Sequence, residues 1–241
     1  MSTERVTVAL PTYNELENLP HIIPEIVSHG YRLLIIDDNS PDGTGRMADS
    51  FAADLELVSV LHRDEKAGLG PAYAAGFAQA LASGAEIVIE MDADFSHDPG
   101  DLPRLVAAID EGADMAIGSR YVHGGATPDW PIVRQVISKG GNLYARIMLG
   151  IPIQDATAGF RAFRADALRR LPYESAEASG YGFQVEMAWR AHQAGLKVVE
   201  VPISFHDRTR GQSKMGPKIV AEAMWLVTVW GVGRLLGRER R

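Results

Sequence analysis

The chain has 241 residues, 46% of them hydrophobic, which is enough to bury the core of one large domain and argues against disorder. A formal net charge of -7 argues against a general nucleic-acid binder, whose affinity would rest on phosphate neutralisation, so any basic chemistry must be local. No cysteine occurs, which excludes disulfides, thiolate zinc sites and a cysteine nucleophile.

The N-terminus carries Glu4 and Arg5 and no long apolar segment, so it does not read as a secretory signal, and catalysis is expected on the cytoplasmic side. Short apolar runs at 6–10, 33–36, 57–61, 87–91 and 115–117 read as strands, alternating with segments of helical period such as 16–27 and 72–81. This alternation predicts an α/β fold with a mostly parallel sheet covered by helices on both faces. Ligands of such sheets sit beyond the carboxyl ends of the strands, where the polar segments 11–15, 37–43 and 92–98 fall. Residues 119–131, with Gly124 and Gly125 before Trp130 and Pro131, suit a mobile loop that closes over a ligand.

The second half predicts a short segment around 155–164, a helix over 182–194 in which Glu186 is a helix-face charge, a strand at 198–201 and a basic loop at 206–214. The apolar stretch 219–236 contains Glu222 and Arg234 as well as Trp225 and Trp230, too interrupted for a membrane span of about 20 apolar residues. It either packs on the core or lies in the lipid interface, with Arg238, Arg240 and Arg241 near anionic lipid. The predicted organisation is one catalytic domain over 1–215, with a donor half to about 118 and an acceptor half from 119, followed by a C-terminal helix over 216–241.

The chemistry concentrates after the fourth apolar run, in Asp92-Ala93-Asp94. Alternation along an extended segment would put both carboxylates on one side, facing a cation that cancels the charge of a nucleoside diphosphate; oxygen ligands there suit Mg²⁺ or Mn²⁺. His97 is either a ligand or base beside them or, the commoner case, a surface histidine at a strand end. No G-x-G-x-x-G opens the first helix and no G-x-x-x-x-G-K-[ST] occurs, which sets aside a dinucleotide dehydrogenase and a P-loop ATPase.

Several motifs in order, Pro11-Thr12-Tyr13-Asn14-Glu15, Asp37-Asp38-Asn39-Ser40-Pro41-Asp42-Gly43-Thr44, Lys66-Ala67-Gly68-Leu69-Gly70, the run from Met91 to Pro99, Gly118-Ser119-Arg120-Tyr121 and Ala158-Gly159-Phe160-Arg161, carry a resemblance. Over about residues 5–215 the chain resembles the inverting family 2 glycosyltransferases of GT-A (nucleotide-diphospho-sugar transferase) fold and, within them, the polyprenyl-phosphate mannose synthases, or dolichyl-phosphate mannosyltransferases. That resemblance implies a metal-dependent transfer of mannose from GDP-mannose to a polyprenyl monophosphate, with a membrane surface or a membrane protein as further partner.

By the same resemblance Pro11, Tyr13, Glu15, Ile36 and Asp38 hold the guanosine; Asp37, as the neighbour that points the other way on an extended segment, is expected to brace its loop instead. Asp92 and Asp94, flanking Ala93, bind the metal with Ser96 as third ligand. Arg120, Arg134, Ser138, Arg208 and Lys214 meet phosphate, and Asp155 supports an arginine near the acceptor pocket. The alternatives are the same fold using UDP-glucose or UDP-N-acetylglucosamine with a lipid-phosphate acceptor, or a non-catalytic nucleotide-binding partner of a membrane enzyme. A polysaccharide transferase is disfavoured by the absence of Q-x-x-R-W.

Overall fold

The runs at 33–36 and 87–89 are built of Val, Ile and Leu and are apolar on both faces, the pattern of a strand covered from two sides. The computed structural model describes residues 3–176, 180–207 and 217–237. Its strands are β1 (Val6–Thr12), β2 (Arg32–Asp37), β3 (Val58–His62), β4 (Ile87–Glu90), β5 (Met115–Ser119), β6 (Arg161–Arg164) and β7 (Val198–Pro202). They form one seven-stranded sheet in the order β3-β2-β1-β4-β6-β5-β7. All neighbours are parallel except β6, which runs antiparallel between β4 and β5.

The helices are α1 (Leu19–Ser28), α2 (Thr44–Asp54), α3 (Leu69–Ala82), α4 (Leu102–Asp110), α5 (Ile132–Leu149), α6 (Ala165–Arg169), α7 (Tyr181–Gln193) and α8 (Pro217–Leu235). Two apolar layers cover the sheet. One packs Ile22, Ile23, Leu105 and Ile109 of α1 and α4 against β1, β2 and β4. The other joins Tyr73 and Phe77 of α3 to Phe163 of β6 and to Phe183 and Trp189 of α7. The expected α/β architecture therefore stands.

The inverted strand positions the site. Because β6 runs backwards, the segment that enters it, residues 155–160, arrives at the same sheet end as the carboxyl ends of β4 and β5. Residues 119–131 are not a free loop: Ala126 pairs with Ser204 beyond β7, its N–H donating to Ile203 O at 3.0 Å and its carbonyl accepting from Phe205 N at 2.9 Å.

The longest surprise is α5, absent from the expected elements. Its Gly140-Gly141 pair breaks helical propensity, and its large apolar residues Ile132, Val133, Val136, Ile137, Leu143 and Ile147 face outward instead of marking a core stripe. Of the two alternatives for the 219–236 stretch, packing on the molecule is realised: Val227 and Trp230 of α8 are buried, and the Trp230 ring stacks on Trp189 of α7 at 5.5 Å. On the α5 side Tyr144 and Thr228 hydroxyls meet at 2.6 Å. Gly231 permits the approach, since a Cβ there would stand 2.8 Å from Met148 Cε. Trp225, Val232, Leu235 and Leu236 stay exposed, so α8 also keeps an outward apolar face. Among the described residues no helix is long and apolar enough to cross a membrane.

Candidate active site

The loops after β1 and β2 are laced together by hydrogen bonds. Asn14 N donates to Ser40 Oγ at 3.1 Å, Glu15 N to Thr44 Oγ1 at 2.9 Å and Leu16 N to Asp42 Oδ2 at 3.3 Å. Asn14 and Asn39 take φ of 58° and 56°, the left-handed region that asparagine tolerates. Asp37 is buried and accepts from Ser40 Oγ at 2.5 Å, with His62 Nδ1 3.8 Å away, so it braces its own loop. Asp38 instead pairs with Arg63 at 2.6 Å; burial raises its pKa above its ordinary value by more than Arg63 pulls it back.

Tyr13 lies under Lys66, whose Nζ is 3.9 Å from the ring centroid, and the Glu15 carboxylate accepts from Asn18 Nδ2 at 2.7 Å. Pro11 is half-buried near the end of β1. The Ile36 side chain belongs to the core, where a Cβ on Gly76 would stand 2.4 Å from its Cδ1. At the strand end its carbonyl accepts from Thr12 Oγ1 at 3.3 Å.

The acidic triplet departs from the expected extended geometry. β4 stops at Glu90, and the chain bends through residues 93–97 with Phe95 at φ 60°, so strand alternation is not what places Asp92 and Asp94. Tyr73 OH donates to Asp92 Oδ1 at 3.3 Å, and Ser96 N donates to Asp94 Oδ1 at 3.0 Å. Burial, then the charges of Asp92 and Glu90, push the Tyr73 hydroxyl well above its usual pKa, so it stays a neutral donor. Ala93 is buried between the two acids.

His97 is not a surface histidine. It is 2% exposed, stacks on Phe160 at 5.0 Å between ring centroids and meets Phe205 edge-on at 5.4 Å. An aromatic socket made by residues 63 and 108 positions away in sequence gave no local signal.

These residues fit a hard divalent cation. Ser96 Oγ is buried beside Asp94 and has no hydrogen-bond partner among the described residues. A Cβ on Gly159 would stand 3.8 Å from Asp92 Oδ2, so the glycine keeps the approach to that carboxylate open. Among the described residues no three His, Cys, Asp or Glu side chains form a closed metal cluster. A cation would therefore take Asp92, Asp94 and the Ser96 hydroxyl, with water or diphosphate oxygens completing the sphere, the habit of Mg²⁺.

On the other side of β6, Arg120 is 6% exposed and clamped by Asp155, Nε to Oδ2 at 2.7 Å and Nη2 to Oδ1 at 2.6 Å. Nη2 also donates to Thr157 Oγ1 at 2.8 Å, and the rings of Tyr121, Trp130 and Phe205 lie 5.2, 5.4 and 5.3 Å from the guanidinium carbon. Arg134 of α5 pairs with Asp207 and covers Trp130, its guanidinium carbon 3.9 Å from the ring centroid. Ser138 Oγ accepts from Tyr121 OH at 2.6 Å. The sheet end thus gathers Asp92, Asp94, Arg120, Arg134 and Ser138, while Arg208 and Lys214 lie outside the described residues.

Beneath the site Arg161 is fully buried, donating to the carbonyls of Ala158, Gln184 and Ala156, each at 2.8 Å, with Glu90 Oε1 3.4 Å from its Nε. Burial pushes the Glu90 carboxyl up to about 8, outweighing the pull of Arg161 and the nearby Gln184 amide, which approaches outside hydrogen-bond geometry. Glu186 is likewise no exposed helix-face charge: it is 2% exposed and paired with Arg190. Sequence reasoning missed Arg63, Tyr73, Asn142, Thr157, Phe205 and Asp207. Thr157 stands beside a quoted motif, and Asn142 is one of two side-chain amides inside α5, with Gln135; either was a discoverable signal had the helix been recognised.

The family model for glycosyl transferase family 2 matches residues 7–171. The chain is 49% identical over 242 aligned residues to a polyprenol monophosphomannose synthase of Mycolicibacterium smegmatis, covering 99% of this chain and 91% of that one. It is 49% identical to an undecaprenyl-phosphate mannosyltransferase of Micrococcus luteus, covering 95% and 94%. A dolichol-phosphate mannosyltransferase of Pyrococcus furiosus is 38% identical and longer, with 61% of its length covered. Among solved structures, glucosyl-3-phosphoglycerate synthase from Mycobacterium tuberculosis, in complex with Mn²⁺, UDP and glucosyl-3-phosphoglycerate, superposes with a TM-score of 0.66 at 21% identity, covering 97% of this chain and 79% of that one; the likeness is one of fold.

Proposed function

The chain belongs to glycosyl transferase family 2, and from that premise we propose that it moves mannose from GDP-mannose to a polyprenyl monophosphate, releasing GDP and polyprenyl-phosphate β-mannose. The observation that carries this reading is the meeting, at one sheet end, of an acidic bend suited to a nucleoside diphosphate and an arginine-bearing helix suited to a phosphate monoester. The names of the relatives add the mannose and the polyprenyl lipid.

In this reading Pro11, Tyr13, Glu15, the Ile36 main chain and Asp38 line the guanosine pocket, where Asp38 accepts from the base or the ribose hydroxyls and Arg63 keeps it oriented. Asp92, Asp94 and Ser96, flanking Ala93, would hold Mg²⁺ or Mn²⁺, which when bound supplies Lewis-acid charge for the leaving diphosphate.

Arg120, Arg134 and Ser138 receive the lipid phosphate, with Arg208 and Lys214 assigned to phosphate by resemblance alone. A phosphate monoester has a second pKa of about 6, so it is largely dianionic near neutrality and no strong base is required. The need is for positive charge to seat one anion beside another. A phosphate oxygen attacks the anomeric carbon in line, the bond from that carbon to GDP breaks, and its electron pair leaves on the β-phosphate. Inversion follows from attack opposite the leaving group.

A membrane surface supplies the acceptor in this proposal. α5 and α8 lie side by side and turn Ile132, Val133, Val136, Ile137, Leu143 and Ile147, together with Trp225, Val232 and Leu235, outward. Such outward apolar residues, borne in part by the helix that carries Arg134 and Ser138, suit the headgroup boundary. Leu143→Glu with Ile147→Glu should abolish flotation with anionic liposomes while turnover of a short acceptor in detergent persists; undiminished flotation would remove this face from the membrane. The reaction itself is tested by transfer of labelled sugar to a short polyprenyl phosphate with Mg²⁺ or Mn²⁺. Product from GDP-mannose but not from UDP-glucose or UDP-N-acetylglucosamine supports the assignment. Transfer only from a uridine donor would replace the sugar, and silence from all three would return the protein to a nucleotide-binding role.

A further inference from the structure

Arg120 and the helix carrying Arg134 and Ser138 come from different parts of the chain, yet an acceptor phosphate held by all three requires them in fixed register. The segment entering β6 supplies a complete polar connection between them. Thr157 Oγ1 accepts from Arg120 Nη2 at 2.8 Å and from Asn142 Nδ2 at 3.0 Å, and is placed to donate to Asp155 Oδ1 at 3.3 Å. A hydroxyl has one donor and two acceptor sites, so all of its capacity is used.

Asn142 sits on α5 one turn beyond Ser138 and is 2% exposed. Its Nδ2 donates to Ser138 O at 3.1 Å as well as to Thr157, and its Oδ1 accepts from Thr157 N at 3.2 Å. Both ends of the amide are therefore engaged, which fixes its orientation. On the opposite side Tyr121, the neighbour of Arg120, donates to Ser138 Oγ at 2.6 Å. Two side-chain hydrogen-bonded links thus run between the Arg120 segment and α5 among the described residues, and of these the Asn142–Thr157 one reaches the guanidinium, beside the Trp130 ring that lies between Arg120 and Arg134.

We infer that Thr157 and Asn142 are positioning residues that hold the Arg120 guanidinium in register with α5, so that the acceptor phosphate meets Arg120, Arg134 and Ser138 together. This rests on the assignment of those three residues to the acceptor. Neither Thr157 nor Asn142 needs to touch the substrate. A group that acts through Arg120 should change recognition of the acceptor and leave the nucleotide end alone, whereas a purely structural group would disturb both.

The test is steady-state kinetics of the full chain with GDP-mannose and a short polyprenyl phosphate for Thr157→Val, Thr157→Ser and Asn142→Leu, with thermal melting of each. Thr157→Val and Asn142→Leu should raise the acceptor KM about tenfold, the scale of one lost hydrogen bond to a charged group, with donor KM within about twofold. Thr157→Ser, which keeps the hydroxyl, should restore acceptor use to within about threefold of the parent protein. In an Arg120→Ala background Thr157→Val should add nothing further. Acceptor kinetics unchanged in Thr157→Val, or equal losses at donor and acceptor, would overturn the inference; if that variant does not fold, Asn142→Leu carries the same outcomes. Should the parent protein fail to transfer mannose, the functional reading falls, and binding of dodecyl phosphate in the presence of GDP and Mg²⁺ decides the inference. Binding weakened about tenfold by Thr157→Val sustains it, and equal binding, or none by the parent protein, overturns it.

Discussion

The acidic and basic ends of the cleft are built on opposite plans. At the acidic end several carboxylates are held by their own neighbours: Asp94 by Ser96 N, Asp37 by Ser40 and Asp42 by Thr44, all within three residues. At the basic end the partners are far apart in sequence, Arg120 with Asp155 and Arg134 with Asp207. A local turn survives loss of its carboxylate, while a buried long-range pair does not survive loss of a partner. Charge at Asp94 is therefore separable from the fold, and charge at the floor of the basic end is not.

Removing a carboxylate tests the separable side and should have the largest effect on turnover. Asp94→Ala is expected to lower kcat/KM by at least about a thousandfold, since charge stabilisation of the leaving group is lost. The melting temperature should fall only by the equivalent of about 1 kcal/mol, for one hydrogen bond. Near-normal turnover would remove Asp94 from the site; a collapsed fold would erase the contrast between the two ends.

Asp155→Ala tests the inseparable side. Both partners of its pair are buried, with side-chain exposures of 5% for Arg120 and 0% for Asp155, and the substitution leaves a guanidinium uncompensated. Breaking such a pair costs about 3–5 kcal/mol, so stability in denaturant and acceptor turnover should fall together. A variant as stable as its parent would show that the clamp is not structural.

At the rim the Arg134–Asp207 pair is 37% and 44% exposed. Arg134→Ala should change stability by at most about 1 kcal/mol, the scale of a surface pair, while raising acceptor KM about tenfold at unchanged donor KM. Unaltered acceptor kinetics would take Arg134 out of the acceptor site.

The last effect is read against pH. Glu90, pushed up to about 8 from an ordinary value of 4.5, keeps its proton in the folded chain where the unfolded chain has lost it. Over that window the native state binds more protons, so stability from this group falls as pH rises from about 4.5 and levels off above about 8. Glu90→Gln, which mimics the protonated acid, should flatten that decline in urea titrations between pH 5 and pH 9. An unchanged slope would mean that Glu90 stays ionised against Arg161.

The same contrast explains what could be read from the residues alone. The first five strands and the three polar strand ends were legible because periodicity and turn chemistry are local; each strand lies within two residues of its expected bounds at either end. The acidic residues were legible at the end of the fourth strand but their geometry was not, since nothing local announces the φ of 60° at Phe95. α5 was illegible because its apolar residues face outward and its glycines break the pattern. His97 and Glu186 were misjudged because their burial depends on Phe160, Phe205 and Arg190 coming together in space. Asn142 and Thr157 are uncharged and ordinary until the inverted β6 brings their segments side by side.

The most direct test of the account is the anomeric configuration of the mannosyl phosphate made from GDP-α-mannose and a short polyprenyl phosphate, read by NMR from the coupling at the anomeric carbon. In-line attack by the lipid phosphate predicts a β-linked product with one GDP released per mannose transferred. An α-linked product would require a second displacement and would contradict the single-step chemistry assigned to these residues.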